Sequence, residues 1–88
     1  MIYLNVGAGK SIRENDIIGI FDMDTATVSP ITRKLLSEAD KAHLTESPSL
    51  EIPKSFIVYK SNDSKISICF SQFSSASLLG RVGKESIR

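Results

Sequence analysis

One cysteine, one histidine and no tryptophan stand among the 88 residues, and each scarcity closes a class of function. A lone Cys69 forms no internal disulfide and supplies no thiolate set for zinc. It falls in the apolar stretch Ser67-Ile-Cys-Phe70, the setting of a buried, unreactive thiol. His43 has no second histidine or cysteine to share a metal with, and the serines lack the partnered histidine that a nucleophile needs. No catalytic residues, no metal and no cofactor are therefore expected, and neither is a small-molecule substrate. No apolar run approaches the length of a membrane span, and the opening Met1-Ile-Tyr-Leu-Asn5 lacks the basic start and apolar length of an export signal. A cytoplasmic protein without a membrane partner is the expectation. Charge of one sign is scarce too. At a net +1, a single copy is no strong binder of nucleic acid.

What is present is an ordinary globular balance, 41% apolar and 24% charged, which excludes disorder of the whole chain. A chain of this size buries about 60–65% of its unfolded surface, so its core is modest. A second copy that covers partly exposed apolar faces adds burial cheaply. The small net charge hides an asymmetry. Residues 54–88 carry Lys54, Lys60, Lys65, Arg81, Lys84 and Arg88 against Asp63 and Glu85, a local balance of +4. The first thirty residues balance to −2 and the middle stretch to −1.

Ile2, Leu4 and Val6 alternate with Tyr3 and Asn5, the period of a half-buried strand, and Gly7-Ala-Gly9 supplies the backbone freedom of a turn. The run from Asp16 to Asp22 has no alternation and reads as a central strand covered on both faces. Gly19 within it points to a neighbour that approaches closely. Ser29-Pro30 starts a helix expected to run to about Ala42. Its apolar stripe is Ile31, Leu35, Ala39 and Ala42, with Leu36 beside it. His43 follows, where the helix C-terminus favours a cation. Thr45 to Pro53 reads as a loop. Lys54–Lys60 and Lys65–Phe70, joined by Ser61-Asn-Asp-Ser64, read as a β-hairpin. A serine-capped short helix then closes at Gly80. The expected fold is α+β, one domain over 1–79 in the order β-β-α-β-β-α with its buried central strand at 16–22, followed by a loose basic tail over 80–88.

Two motifs invite catalytic readings. Val6-Gly-Ala-Gly-Lys-Ser11 ends like a phosphate loop, but Leu4 stands where that pattern needs its first glycine, and a strand follows where it needs a helix. A glycine turn with a solvated lysine is the expectation. Asp22-Met-Asp24 after an apolar strand has the spacing of the first motif of haloacid-dehalogenase-type phosphatases. Ala26 stands where that motif has threonine, and its remaining parts need a much longer chain. The two aspartates are read as ending the strand and shaping the turn before the helix.

Four segments together carry a family resemblance: Ile2-Tyr-Leu-Asn-Val-Gly-Ala-Gly9, Asp16-Ile-Ile-Gly-Ile-Phe-Asp22, the Ser29-Pro30 helix, and Ser71-Gln-Phe-Ser-Ser-Ala-Ser-Leu-Leu-Gly-Arg81. The chain resembles the RemA/RemB family of bacterial extracellular matrix regulators, its RemB branch in particular. The resemblance implies a regulator of biofilm-matrix genes that forms a homo-oligomer, ring-shaped in the RemA branch, and binds DNA through many copies of one basic surface. Many weak phosphate contacts add up when copies are held together. Pro30 and Arg33 match the family at the helix start. RemA-type proteins carry arginine where this chain has Asp16, and a glycine-arginine-arginine run near Leu50-Glu51-Ile52. Those positions are therefore not assigned to DNA. Arg33, Lys34, Lys54 and Arg81 are the expected phosphate contacts, and an oligomerising interaction module that leaves DNA alone is the alternative.

Overall fold

A computed structural model describes residues 2–26, 29–48 and 51–82. The fold is α+β, as expected. It has three layers, with a four-stranded sheet in the middle. The elements in chain order are β1 (Tyr3–Gly7), β2 (Lys10–Arg13), a single 3-10 turn (Glu14–Asp16), β3 (Ile17–Asp22), α1 (Met23–Ala26), α2 (Pro30–Lys41), β4 (Thr45–Glu46), β5 (Ser55–Lys60), β6 (Ile66–Ser71) and α3 (Ser75–Arg81). The middle sheet runs β3-β5-β6-β4, antiparallel except for the short parallel pair of β4 with β6. The β1–β2 hairpin and α3 cover one face, and α2 covers the other.

This layering follows from the alternation along β5 and β6. Ile57, Tyr59 and Cys69 turn toward Leu4, Val6, Ile12 and Leu78. Phe56, Val58 and Ile68 turn toward Leu36, Ala39 and Leu44. Ser55, Phe56, Ile57 and Val58 are all buried, so β5 is the strand enclosed on both faces. The sequence places that role on residues 16–22, and the structure overturns it. β3 is an edge strand with no fully buried residue. A bulge between Ile17 and Gly19 breaks its register with β5 and leaves Ile18 60% exposed. Its apolar run is continuous because edge and bulge residues reach outward, and among the described residues no second sheet neighbour encloses it. Gly19 does receive a close neighbour. A side chain there would meet the Phe21 ring at 2.6 Å, and that ring stacks on Phe56 with centroids 5.2 Å apart.

α2 begins as its sequence demands. The Ser29 hydroxyl accepts the Thr32 N–H at 3.5 Å, and Pro30 occupies the first turn. The helix is rotated from the expected orientation. Leu36 and Ala39 pack on the sheet, whereas Ile31, Leu35 and Ala42 are exposed. The reason lies beyond the helix: His43, in a left-handed conformation at φ 58°, turns the chain so that the Leu44 N–H reaches the Ala39 carbonyl at 2.9 Å. The Leu44 carbonyl in turn accepts the Ile68 N–H at 2.9 Å, which docks β4 beside β6 inside the stretch expected to be a loop.

The β5–β6 hairpin forms as expected, closed by the Ser61 N–H to the Lys65 carbonyl at 2.8 Å. Asp63 accepts from the Ser61 hydroxyl and from the Lys65 N–H; the serine bond, chiefly, holds its carboxyl below the usual range. Ser74 caps α3 by accepting the Ser77 N–H at 3.1 Å. α3 then runs through Gly80 to Arg81, so the boundary drawn at residue 79 falls inside a helix. The remainder of the expected tail, residues 83–88, lies outside the described residues.

Cys69 is fully enclosed, and burial pushes its thiol up to about 11. Since the folded thiol ionises later than the unfolded one, its contribution to stability is complete below about pH 9 and is lost as pH climbs toward 11. At pH 8, alkylation by iodoacetamide is expected to run at least about a hundredfold slower in the native chain than in urea, from thiolate fraction alone. Equal rates by mass spectrometry would contradict the enclosure.

Candidate functional site

The β1–β2 turn uses Gly7, Ala8 and Gly9 at positive φ (106°, 53° and 78°), and it delivers Lys10 to the side of the central strand. Lys10 Nζ lies 2.9 Å from Glu46 Oε1 and 5.9 Å from the centre of the Tyr59 ring. The Tyr59 hydroxyl donates to the same carboxylate oxygen at 3.3 Å. A lysine expected to be merely solvated is thus held between a carboxylate and an aromatic face. The hydrogen bond to Glu46 raises the Lys10 pKa, and burial raises that of Tyr59.

Next to this cluster opens a hollow of about 370 Å³. Tyr3, Lys10 and Arg13 of the hairpin, Tyr59 and Lys60 of β5, and Asn62 of the β5–β6 turn form its walls. Arg13 is fixed by Asp16, Nε to Oδ2 at 2.9 Å and Nη2 to Oδ1 at 3.0 Å, which raises the guanidinium pKa. Such two-point contact sets the plane of the guanidinium as well as its place. Three cations and one carboxylate line the hollow, with Glu46 behind Lys10. None of these cations was among the phosphate contacts expected from the sequence. Lys10, Arg13 and Lys60 come from three strand ends, and only the crossing of the hairpin over β5 unites them. The one signal in the sequence was Gly-Lys-Ser11, which the missing helix had set aside.

The expected contacts are divided between layers. Arg33 and Lys34 are adjacent and exposed on α2. Lys54 is exposed at the start of β5, where its carbonyl accepts the Met23 N–H at 3.0 Å and its own N–H reaches the Ser71 carbonyl at 2.8 Å. Arg81 lies in the other outer layer, its guanidinium 4.4 Å from the centre of the Phe73 ring and donating to the Asn5 carbonyl at 3.4 Å. The sheet separates α2 from α3, so Arg81 joins no surface with Arg33 and Lys34 within one chain.

Asp22 Oδ1 accepts the N–H groups of Asp24 and Thr25 at 2.8 and 3.2 Å, the work of a helix cap. Among the described residues no group of three metal-ligating side chains converges. Nor, among them, is any helix long and apolar enough to cross a membrane. Compared with known proteins, the chain matches no protein-family model and no curated protein.

Proposed function

We propose that the chain is a homo-oligomeric DNA-binding regulator of extracellular matrix gene expression that acts from the cytoplasm. The observation that carries this reading is the outer surface of α2. Ile31, 81% exposed, and Leu35 lie one turn apart, and Arg33 and Lys34 stand between them in sequence on the same exposed helix. An apolar strip beside cations suits a surface that docks on another copy and, in doing so, sets its charges in an array. Ile52, 87% exposed, and the open edge β3 with Ile18 and Phe21 offer further apolar surface for assembly. The family resemblance of the four sequence segments points the same way. In an assembly, phosphate contacts from Arg33, Lys34 and Lys54 of successive copies sum, whereas a single near-neutral chain holds DNA weakly. Arg81 belongs to a separate layer and is the weakest of the four candidates.

The test couples mass in solution to DNA binding. Light scattering is expected to give a multiple of the chain mass, and a gel-shift titration to show binding at about 50 mM salt that falls steeply by about 200 mM. Arg33→Glu with Lys34→Glu is expected to weaken binding roughly tenfold or more, with light scattering on the same variant separating lost phosphate contacts from lost assembly. An assembled protein that binds no DNA at low salt would replace this reading with that of an interaction module.

A further inference from the structure

The hollow between the hairpin and β5 has a chemistry that DNA binding through α2 leaves unused. We propose that it is a binding site for a mononucleotide, a ligand with one aromatic base and one phosphate. Its volume, about 370 Å³, falls in the range of small-molecule sites and accommodates one such ligand. Its walls combine the Tyr3 ring with Lys10, Arg13 and Lys60, and Tyr59 carries the Lys10 ammonium over its ring. Aromatic faces stack on bases of any kind, and lysine and arginine recognise phosphate by charge and by hydrogen bonds.

The arrangement is built before a ligand arrives. Asp16 holds the Arg13 guanidinium at two points, and Glu46 holds both the Lys10 ammonium and the Tyr59 hydroxyl. An ammonium has three N–H groups, so one carboxylate contact does not exhaust Lys10. Asp16 and Glu46 offset two of the three positive charges, which keeps the site from being a general trap for polyanions. Selectivity then falls to the aromatic walls and to the amide of Asn62, which can donate and accept at a base edge. The Gly-Ala-Gly9 turn gains a role here. It begins no phosphate-binding helix, yet it feeds Lys10 and Ser11 into the wall of the hollow.

A single nucleotide, and not a strand of nucleic acid, is the proposed occupant. Hairpin, central strand and turn residues 61–62 all contribute to the boundary. A strand needs a groove that continues past each nucleotide.

The test is titration of the full chain with AMP, GMP, CMP and UMP, followed by amide NMR shifts. At least one is expected to saturate with a Kd below about 1 mM and to shift residues 10–13 and 59–62. The matching nucleoside alone and inorganic phosphate alone are each expected to bind roughly tenfold more weakly or worse. Lys60→Ala, at an exposed position, should weaken the nucleotide roughly tenfold with an unchanged circular-dichroism spectrum. Tyr3→Ala should weaken the nucleotide but leave phosphate binding as it was, whereas Lys34→Ala on α2 should alter neither. The proposal is overturned if none of the four saturates, if phosphate alone binds as well as the nucleotide, or if the shifts map to α2. A single-stranded oligonucleotide that shifts these residues when no mononucleotide does also overturns it. The DNA reading is unaffected by any of these results, because its residues and its gel-shift test are separate.

Discussion

Phe56→Ala is expected to remove about 3–5 kcal/mol of stability, one of the two largest losses expected from a single substitution. Phe56 is enclosed on the α2 side of β5, its ring stacked on Phe21 and tilted against Phe70 with centroids 6.3 Å apart. Truncation loses the transfer energy of an aromatic side chain and leaves a cavity that a two-sided strand cannot collapse to fill. A domain this small has roughly 4–13 kcal/mol in total, so the loss consumes much of it. Urea unfolding followed by circular dichroism gives the figure, with the slope unchanged if only the folded state is affected. Phe21→Ala, on the open edge, should cost far less. A shift below about 1 kcal/mol for Phe56 itself would contradict its place as the core of that layer.

The second large effect comes from two serines. Ser55 and Ser71 face one another across β5 and β6, and both are fully buried. The Ser71 hydroxyl donates to the Val6 carbonyl at 2.7 Å and accepts the Phe73 N–H at 3.1 Å. The Ser55 hydroxyl donates to the Phe73 carbonyl at 2.7 Å. Between them they hold both polar groups of Phe73, and through Phe73 the start of α3. Ser71→Ala deprives a carbonyl and an N–H of their partners at once. Each orphan costs about 1–3 kcal/mol, so a loss of about 2–6 kcal/mol is expected. Because Ser55 and Ser71 hold the two successive peptide groups of one residue, Phe73, Ser55→Ala together with Ser71→Ala should cost less than the two singles added, by about 0.5–3 kcal/mol. Hydrogen exchange at the Phe73 amide supplies the local check. Protection there should fall in Ser71→Ala well beyond the global loss, and simple additivity in the cycle would deny the clamp.

Local chemistry made part of this fold legible and left the rest hidden. The alternation Ile2-Leu4-Val6, the Ser29-Pro30 cap and the Ser61–Ser64 turn each act within a few residues, and each forms what its sequence promises. The place of a strand within a sheet is not local. An apolar run such as Ile17 to Phe21 reads alike whether it is enclosed on both faces or left at an edge. The rotation of α2 was hidden for the same reason, since His43 and Leu44 set it from outside the helix. Ser55 and Ser71 are core residues although serine is polar, because hydrogen-bond partners 18 and 65 residues away decide their burial. The expected cations rested on the resemblance at the helix start and on the basic last third of the chain. The hollow gathers others, from strand ends that meet only in three dimensions.

The bond from Ser71 to the Val6 carbonyl also bears on how the chain is made. β1 leaves the ribosome early, yet the hydroxyl that completes its pairing emerges 65 residues later, with Leu78 still to follow. Until then the inner face of the β1–β2 hairpin has neither β6 nor α3 to rest against. Closing so long a loop before its contacts repay the entropy is slow, so the fold locks only when synthesis of this stretch is nearly done. During that interval Leu4, Val6 and Ile12 have no core to enter, and a slowly closing fold keeps such apolar surface open to aggregation.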